Sequence, residues 1–406
     1  MADDPRAAGG RMTVRLTWAE VCARRLARHA LARPSVEAID DVVAAMCGAH
    51  AQVMSAAELS VGLRLAGSTR TDVRDALWTH KSLVKTYGPR GTVHLLPARD
   101  LPLWTGALSS IPGAPTSLPE STRLTSAQTE AVVDAIGAAV RDAELTVEEL
   151  DAAVVAATGP WAADPVVPAF GDFWPRWRQA ITVAAYRGVL CFGPARGRRV
   201  TYTDPHAWLP GFRPDDGSRA LAELVRRFLS AYGPATPYEF ARWFGAPRAW
   251  CAAAFAGMAD ELVPAVIDGY DRSGQRPPGP GDAAWVLAAD GVGRPEPLAP
   301  SLRLLPYFDA YTVGCHPRDL LFRGAAARAL THGQAGTFPV VLIAGTVAGL
   351  WHQRLSGRRV HIVVEPFGRL TARHRRALDE QVARVGDILE TKPELTIGTV
   401  TVPAHK

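Results

Sequence analysis

Three groups of residues in this 406-residue chain have types and spacings suited to chemistry. The first is His50-Ala51-Gln52, within Gly48-Ala-His-Ala-Gln-Val53. In an extended segment alternate side chains point to one face, so His50 and Gln52 would stand together across one small apolar residue. An imidazole that titrates near neutrality beside an amide can hold and polarise a water; the same pattern also caps helices or bonds locally. The second group is cationic: Lys81, Lys85 and Arg90 by one Gly/Pro turn, Arg196, Arg198 and Arg199 on another, and Arg70 and Arg74 four apart on an expected helix. On outward-projecting turns such cations would neutralise phosphates and position a duplex rather than read its sequence, the alternative being an ordinary solvated face. The third is Pro306-Tyr-Phe-Asp309-Ala-Tyr311, followed by His316, Arg318 and Asp319. Asp309 is either a carboxylate in a cleft among aromatics or a turn residue accepting backbone hydrogen bonds.

Other chemistries are absent from the pattern. There is no GxxxxGK(S/T), GxGxxG, HExxH or GxSxG, which removes the P-loop, dinucleotide, zincin and α/β-hydrolase signatures. The five cysteines (22, 47, 191, 251, 315) are odd in number and contain no CxxC, so neither a disulfide framework nor a zinc ribbon is expected. Cys315-His316 has no partner at ligand spacing; no metal and no cofactor are assigned. Net charge is +5, and Lys stands only at 81, 85, 392 and 406, so all but four of the 45 cations are Arg, the residue of bidentate phosphate bonding. A pI near 9.1 fits a polyanionic partner. The start, MADDPRAAGG, has neither the basic nor the apolar region of a signal peptide, and the longest near-apolar run, 338–351, is too short for a membrane span. A soluble protein of the reducing cytoplasm, with no membrane contact, is expected.

The elements that must position these groups come as helices followed by two-stranded units, three times over. Helices are expected over 13–33, 35–47 (Ser35 as N-cap), 56–65 and 70–78 (capped by Thr69 or Thr71), then a hairpin around Gly88-Pro-Arg-Gly91. A second set covers 126–142, 147–157 and 176–187, with a hairpin turning at 194–199. A third covers 218–231, 237–244 and 247–258, with strands at 262–267 and 284–288 about a Pro/Gly-rich insert. Residues 301–370 read as strand-rich and 371–389 as a closing helix. Helix–helix–helix–hairpin is the winged-helix plan. The fold class expected is therefore α+β: three tandem winged-helix units with a C-terminal β-rich portion. The divisions are a flexible 1–12, winged helices at 13–108, 126–212 and 213–300, a linker or long loop at 109–125, and the β-rich portion at 301–406.

Thr71-Asp-Val-Arg-Asp-Ala-Leu, Thr86-Tyr-Gly-Pro-Arg-Gly-Thr-Val-His-Leu-Leu-Pro97, Leu190-Cys-Phe-Gly-Pro194 and Leu305-Pro-Tyr-Phe-Asp309 resemble the bacterial winged-helix DNA glycosylases of the AlkZ type, which include the azinomycin-resistance glycosylase and YcaQ-like proteins. The likeness runs from about residue 15 to about 370, and its most specific piece is Arg-Gly-Thr-Val-His-Leu. It implies three tandem winged helices around a concave DNA channel and monofunctional excision of N7-alkylated purines, bulky antibiotic adducts and crosslinks included, in DNA repair or self-resistance. The family's catalytic signature, Gln–aliphatic–Gln or Asp, aligns with His50-Ala51-Gln52. Gln52 matches its last position, and His50 departs from the usual first Gln.

That implied activity has a simple chemistry. An N7-alkylated guanine is cationic and leaves readily, so the protein need only stabilise an oxocarbenium-like sugar and place a water at C1′. Gln52 has no accessible basicity and would orient the water through its amide oxygen; a neutral His50 would accept the water's proton or hold it at the right angle. A lyase route needs an amine nucleophile, and the internal lysines Lys81, Lys85 and Lys392 suit phosphate contact or lie far along the chain. The partner expected is double-stranded DNA carrying alkylated purines, bound by a monomer, since no heptad or dimerisation helix is visible. A reading from a different class is a non-catalytic winged-helix DNA-binding protein or transcriptional regulator. A fold that had lost DNA altogether would have neutral wings, which the cluster 196–199 argues against.

Overall fold

The structure, a computed structural model, describes residues 13–113, 118–169, 171–270, 283–290, 301–330 and 336–402. The first set of elements holds β1 (Val14–Leu16), α1 (Trp18–Arg28), α2 (Ile39–Ala45), β2 (Ala49–His50), α3 (Met54–Gly62), α4 (Arg70–Trp78), the hairpin β3 (Leu83–Tyr87) and β4 (Val93–Pro97), and α5 (Leu101–Ser109). The second holds α6 (Ser126–Val140), β5 (Leu145–Thr146), α7 (Val147–Thr158), a small hairpin β6 (Pro165–Pro168) and β7 (Phe173–Pro175), α8 (Ile181–Tyr186), and β8 (Cys191–Arg196) with β9 (Arg199–Thr203). The third holds α9 (Gly217–Tyr232), α10 (Pro237–Phe244), α11 (Arg248–Gly257), β10 (Leu262–Ile267) and β11 (Ala284–Leu287). Last come β12 (Leu302–Leu305), α12 (Ala310–Gly314), α13 (Arg318–Leu321), β13 (Val340–Ile343), β14 (Thr346–Ser356), β15 (Arg359–Pro366), α14 (Ala372–Ile388) and β16 (Lys392–Ile397). The class is mixed α+β.

Threonine starts five of these helices by the same device. Thr17, Thr69, Thr125, Thr146 and Thr236 each accept the N–H three residues on, and the acid or amide there returns a bond to the cap's own N–H. Each such cap stabilises its helix by about 1 kcal/mol. Ser35 does not cap a helix as expected. Its hydroxyl accepts from the N–H of Glu37, its backbone bridges to Leu65, and the helix begins only at Ile39.

Each three-helix set carries a three-stranded sheet, in the orders β2-β4-β3, β5-β9-β8 and β1-β10-β11. In the third, Val14-Arg15-Leu16 pairs parallel with Ala265-Val266-Ile267, so residues expected as the start of the first helix are instead a strand of another sheet. Arg25 fixes the same connection by donating to the carbonyls of Tyr232 and Pro234. The C-terminal sheet runs β12-β13-β14-β15-β16; β16, not expected from sequence, lies parallel to β15, and α14 makes the crossover that a parallel pair requires. The first two sets share one apolar core, in which Ala49, Ala51 and Leu95 meet Ile136, Trp177 and Leu190. α5 is buried on nearly every side, so it shows no polar stripe by which to be recognised.

Candidate active site

The tripeptide lies on β2 and the turn after it. Ala49 and Ala51 are buried in the shared core, and the Ala51 N–H donates to Val93 O at 2.8 Å. His50 and Gln52 therefore face the other way, and Gln52 is exposed at the mouth of α3. Register fixes the neighbours: His50 pairs across the sheet with His94, and His94 with Thr86, all on one face, while Ala49, Leu95 and Lys85 share the other. The His50 and His94 rings lie with centroids 4.2 Å apart, and Phe308 stacks against His50 at 6.0 Å.

Electrostatics hold both rings neutral. Burial is the main cause for each. At His50 the neighbouring His94 and then Arg90 add to it, and at His94 Arg90 does, so His50 lies well below its ordinary pKa and His94 is pulled down to about 3. His94 Nδ1 donates to Thr92 O at 2.8 Å. His50 Nε2 meets a terminal nitrogen of Arg90 at 2.7 Å, whereas its Nδ1 is closed from solvent and has no protein partner among the described residues.

The expected cations part into two kinds. Arg90 does not project outward. It folds inward in a left-handed conformation, φ 60°, and its second terminal nitrogen donates to the Trp243 carbonyl. Lys85 is likewise half-buried, its ammonium 5.0 Å from the Phe192 ring, and burial pulls its pKa down. Arg70 and Arg74 do lie on one helix, α4, but each is engaged by an acid: Arg70 with Glu390 at 3.0 Å, Arg74 with the buried Glu58 at 2.6 Å. Arg196 binds Glu149 and the Glu144 carbonyl, and Lys81 donates to Ala207 O beside Trp208. Arg198 and Arg199 are exposed at the β8–β9 turn, and among the described residues no ion pair engages either.

Asp309 lines no cleft. It is fully buried, caps α12 through the Tyr311 N–H, takes the Ser60 hydroxyl at 2.7 Å and receives both terminal nitrogens of Arg64 at 2.8 Å. Burial alone would raise its pKa, but the Arg64 charge and these donors outweigh burial and lower it. Its fixed backbone presents Phe308 to His50. Sequence reasoning assigned no role to His94, Phe308 or the Trp243 carbonyl. The first two sit inside motifs it had picked out, and a main-chain oxygen leaves no residue signature. Among the described residues no three His, Cys, Asp or Glu side chains gather as a metal site, and no helix is long and apolar enough to cross a membrane.

β2 and the turn after it thus offer two polar side chains from a buried alanine frame. The chain is a member of the family described as DNA glycosylase AlkZ-like, which matches residues 43–388 and so contains the tripeptide. Two of the matches come from Streptomyces sahachiroi. The interstrand DNA cross-link repair glycosylase of that organism is 30% identical over 354 residues, 83% of this chain and 88% of that protein. The solved structure of S. sahachiroi DNA glycosylase AlkZ superposes with a TM-score of 0.76 at 26% identity, covering 95% of this chain and all of that one.

Proposed function

We propose that this DNA glycosylase hydrolyses the N-glycosidic bond of N7-alkylated purines in double-stranded DNA, bulky and crosslinked adducts included, with His50 and Gln52 at the reaction centre. The observation that carries the reading is the alternation on β2: Ala49 and Ala51 bury, and the two polar side chains stand on the face away from that core. The Gln52 amide oxygen accepts a hydrogen from the attacking water. As the C1′–O bond forms, the C1′–N electrons leave with the cationic purine, which departs neutral, and the water's surplus proton passes to solvent. The chain acts as a cytoplasmic monomer without a cofactor, its three helix–hairpin sets being winged helices and Arg198, Arg199 and Lys81 the cations best placed for phosphate.

The reaction stops at the abasic site. Lys85, the lysine on the same hairpin, points to the opposite face of the sheet from His50 and so offers no amine there for a Schiff base. The test is single-turnover excision from duplex DNA bearing one N7-methylguanine, with hot alkali revealing abasic sites and binding followed in parallel. Excision that vanishes in His50→Ala and Gln52→Ala while binding persists supports the reading. Binding without excision, on this lesion and on a panel of bulky N7 adducts, would replace it with the non-catalytic regulator.

A further inference from the structure

We propose that Arg90 is a positioning residue that locks His50 in the tautomer protonated at Nδ1, so that His50 does not serve as the base of the hydrolytic water. This rests on the assignment of His50 and Gln52 to the reaction centre. A guanidinium carries five N–H groups and no lone pair, so the 2.7 Å contact with Arg90 obliges Nε2 to accept. A neutral imidazole that accepts at Nε2 has its proton on Nδ1. The charged or titratable groups that face His50 are Arg90 and His94, and neither draws it toward the imidazolium.

Three parts of the fold aim Arg90. The Trp243 carbonyl at the end of α10 takes its second terminal nitrogen. Gly245, which closes α10 at φ +83°, makes room for the turn: a Cβ there would lie 2.8 Å from the Arg90 Cα and 3.0 Å from its N. From α8, the Tyr186 hydroxyl accepts the Gly91 N–H at 2.8 Å and donates to the Gly88 carbonyl at 2.9 Å, spanning the turn that carries Arg90. The third set of helices, remote in sequence, is thus part of the machinery that orients the tripeptide.

The consequence for the water is specific. With Nε2 held by Arg90 and Nδ1 protonated and closed from solvent, His50 offers the water no base; one of the water's hydrogens goes to the Gln52 amide oxygen, and a lone pair attacks C1′. The surplus proton leaves to solvent, and His50 ends the step in the protonation state in which it began.

The test begins with histidine-selective 15N labelling of the full chain, with the His50 resonances assigned by their loss in His50→Gln. The wild type is expected to show a protonated Nδ1 and a bare Nε2. Arg90→Met should give mixed tautomers, a single-turnover rate on the N7-methylguanine duplex reduced roughly 10–100-fold, and a weaker effect on duplex binding. It should also bring an acid limb of the pH–rate profile nearer to neutrality, and Arg90→Lys should recover part of the rate. His50→Gln keeps an N–H donor and has no basicity, so it should stay far more active than His50→Ala. A protonated Nε2 in the wild type, or His50→Gln as inactive as His50→Ala, overturns the proposal. If Arg90→Met does not fold, the wild-type ring shifts still decide the tautomer, and Gly245→Ala should disturb it from the third set of helices. Full activity in Gln52→Ala would sink the site assignment itself; loss there with an unchanged Arg90→Met rate would sink only the role of Arg90.

Discussion

The hairpin turns of the first two helix sets carry the same residue types and do opposite things. At 88–91 the arginine turns inward, and α8, α10 and His50 all grip it or its neighbours. At 196–199 the turn stands clear: a Cβ on Gly197 would meet nothing within 4 Å, and Arg198 is exposed. Gly and Arg together mark a turn that carries charge, but which way the charge points is set by what the rest of the chain packs against that turn. The inward turn is therefore expected to answer to substitutions scattered through the molecule, and the outward one only to its own residues.

The largest effect should come from the buried support of the inward region. Asp309→Asn removes the charge opposite Arg64, whose guanidinium is fully buried, and breaking such a pair costs about 3–5 kcal/mol. The midpoint of urea unfolding reads this loss. Because the Asp309 pKa is lowered in the folded protein, its contribution is complete above the ordinary carboxyl range and falls away as pH drops through the folded value.

Next in size is His94. Its folded pKa of about 3 lies below the ordinary 6.5, so the unfolded chain binds the proton first and stability declines as pH falls below about 6.5. Between pH 7 and pH 5 this histidine alone should remove about 2 kcal/mol. His94→Asn keeps a donor for the Thr92 carbonyl and does not titrate, so its unfolding free energy should change less over the same interval by about that amount. An unchanged slope would place the acid sensitivity with the other histidines that burial holds neutral, His29, His50 and His316.

Tyr186→Phe is smaller again. It deletes both hydrogen bonds across the inward turn and should cost about 1–2 kcal/mol, with a fall in excision as Arg90 loosens. The same substitution should leave salt-dependent DNA affinity, the property assigned to the outward turn, where it was. Equal loss of both would erase the distinction between the turns.

How much of this was legible in the sequence follows from range. Helices with a threonine cap and an amphipathic stripe, such as 237–244, and strands bounded by turns, such as 262–267, were readable from local pattern alone. β1 and β16 were not, since each is a strand only because a partner lies elsewhere: β10, some 250 residues on, and β15, across a helix. The facing of His50 and Gln52 away from the core was readable because alternation is local; its setting was not. Nothing local says that Arg90 adopts φ 60° and reaches a carbonyl at residue 243, or that Asp309 is neutralised by Arg64, 245 positions earlier.

The smallest stability change and the clearest DNA effect should fall together at the outward turn. Arg198→Gln with Arg199→Gln touches no buried group, so unfolding should shift by no more than about 0.5 kcal/mol. If each arginine neutralises one phosphate, the slope of log affinity against log salt should flatten by roughly 2 for the pair, at about 0.9 per contact. Excision at saturating protein should stay the same, because neither residue reaches the tripeptide. Arg196→Gln is the internal control: its guanidinium is already bound by Glu149 and the Glu144 carbonyl, so it should change the slope less than either neighbour. A flattening led by Arg196 would mean that DNA displaces Glu149 and that this arginine, not the exposed tip, is the phosphate clamp.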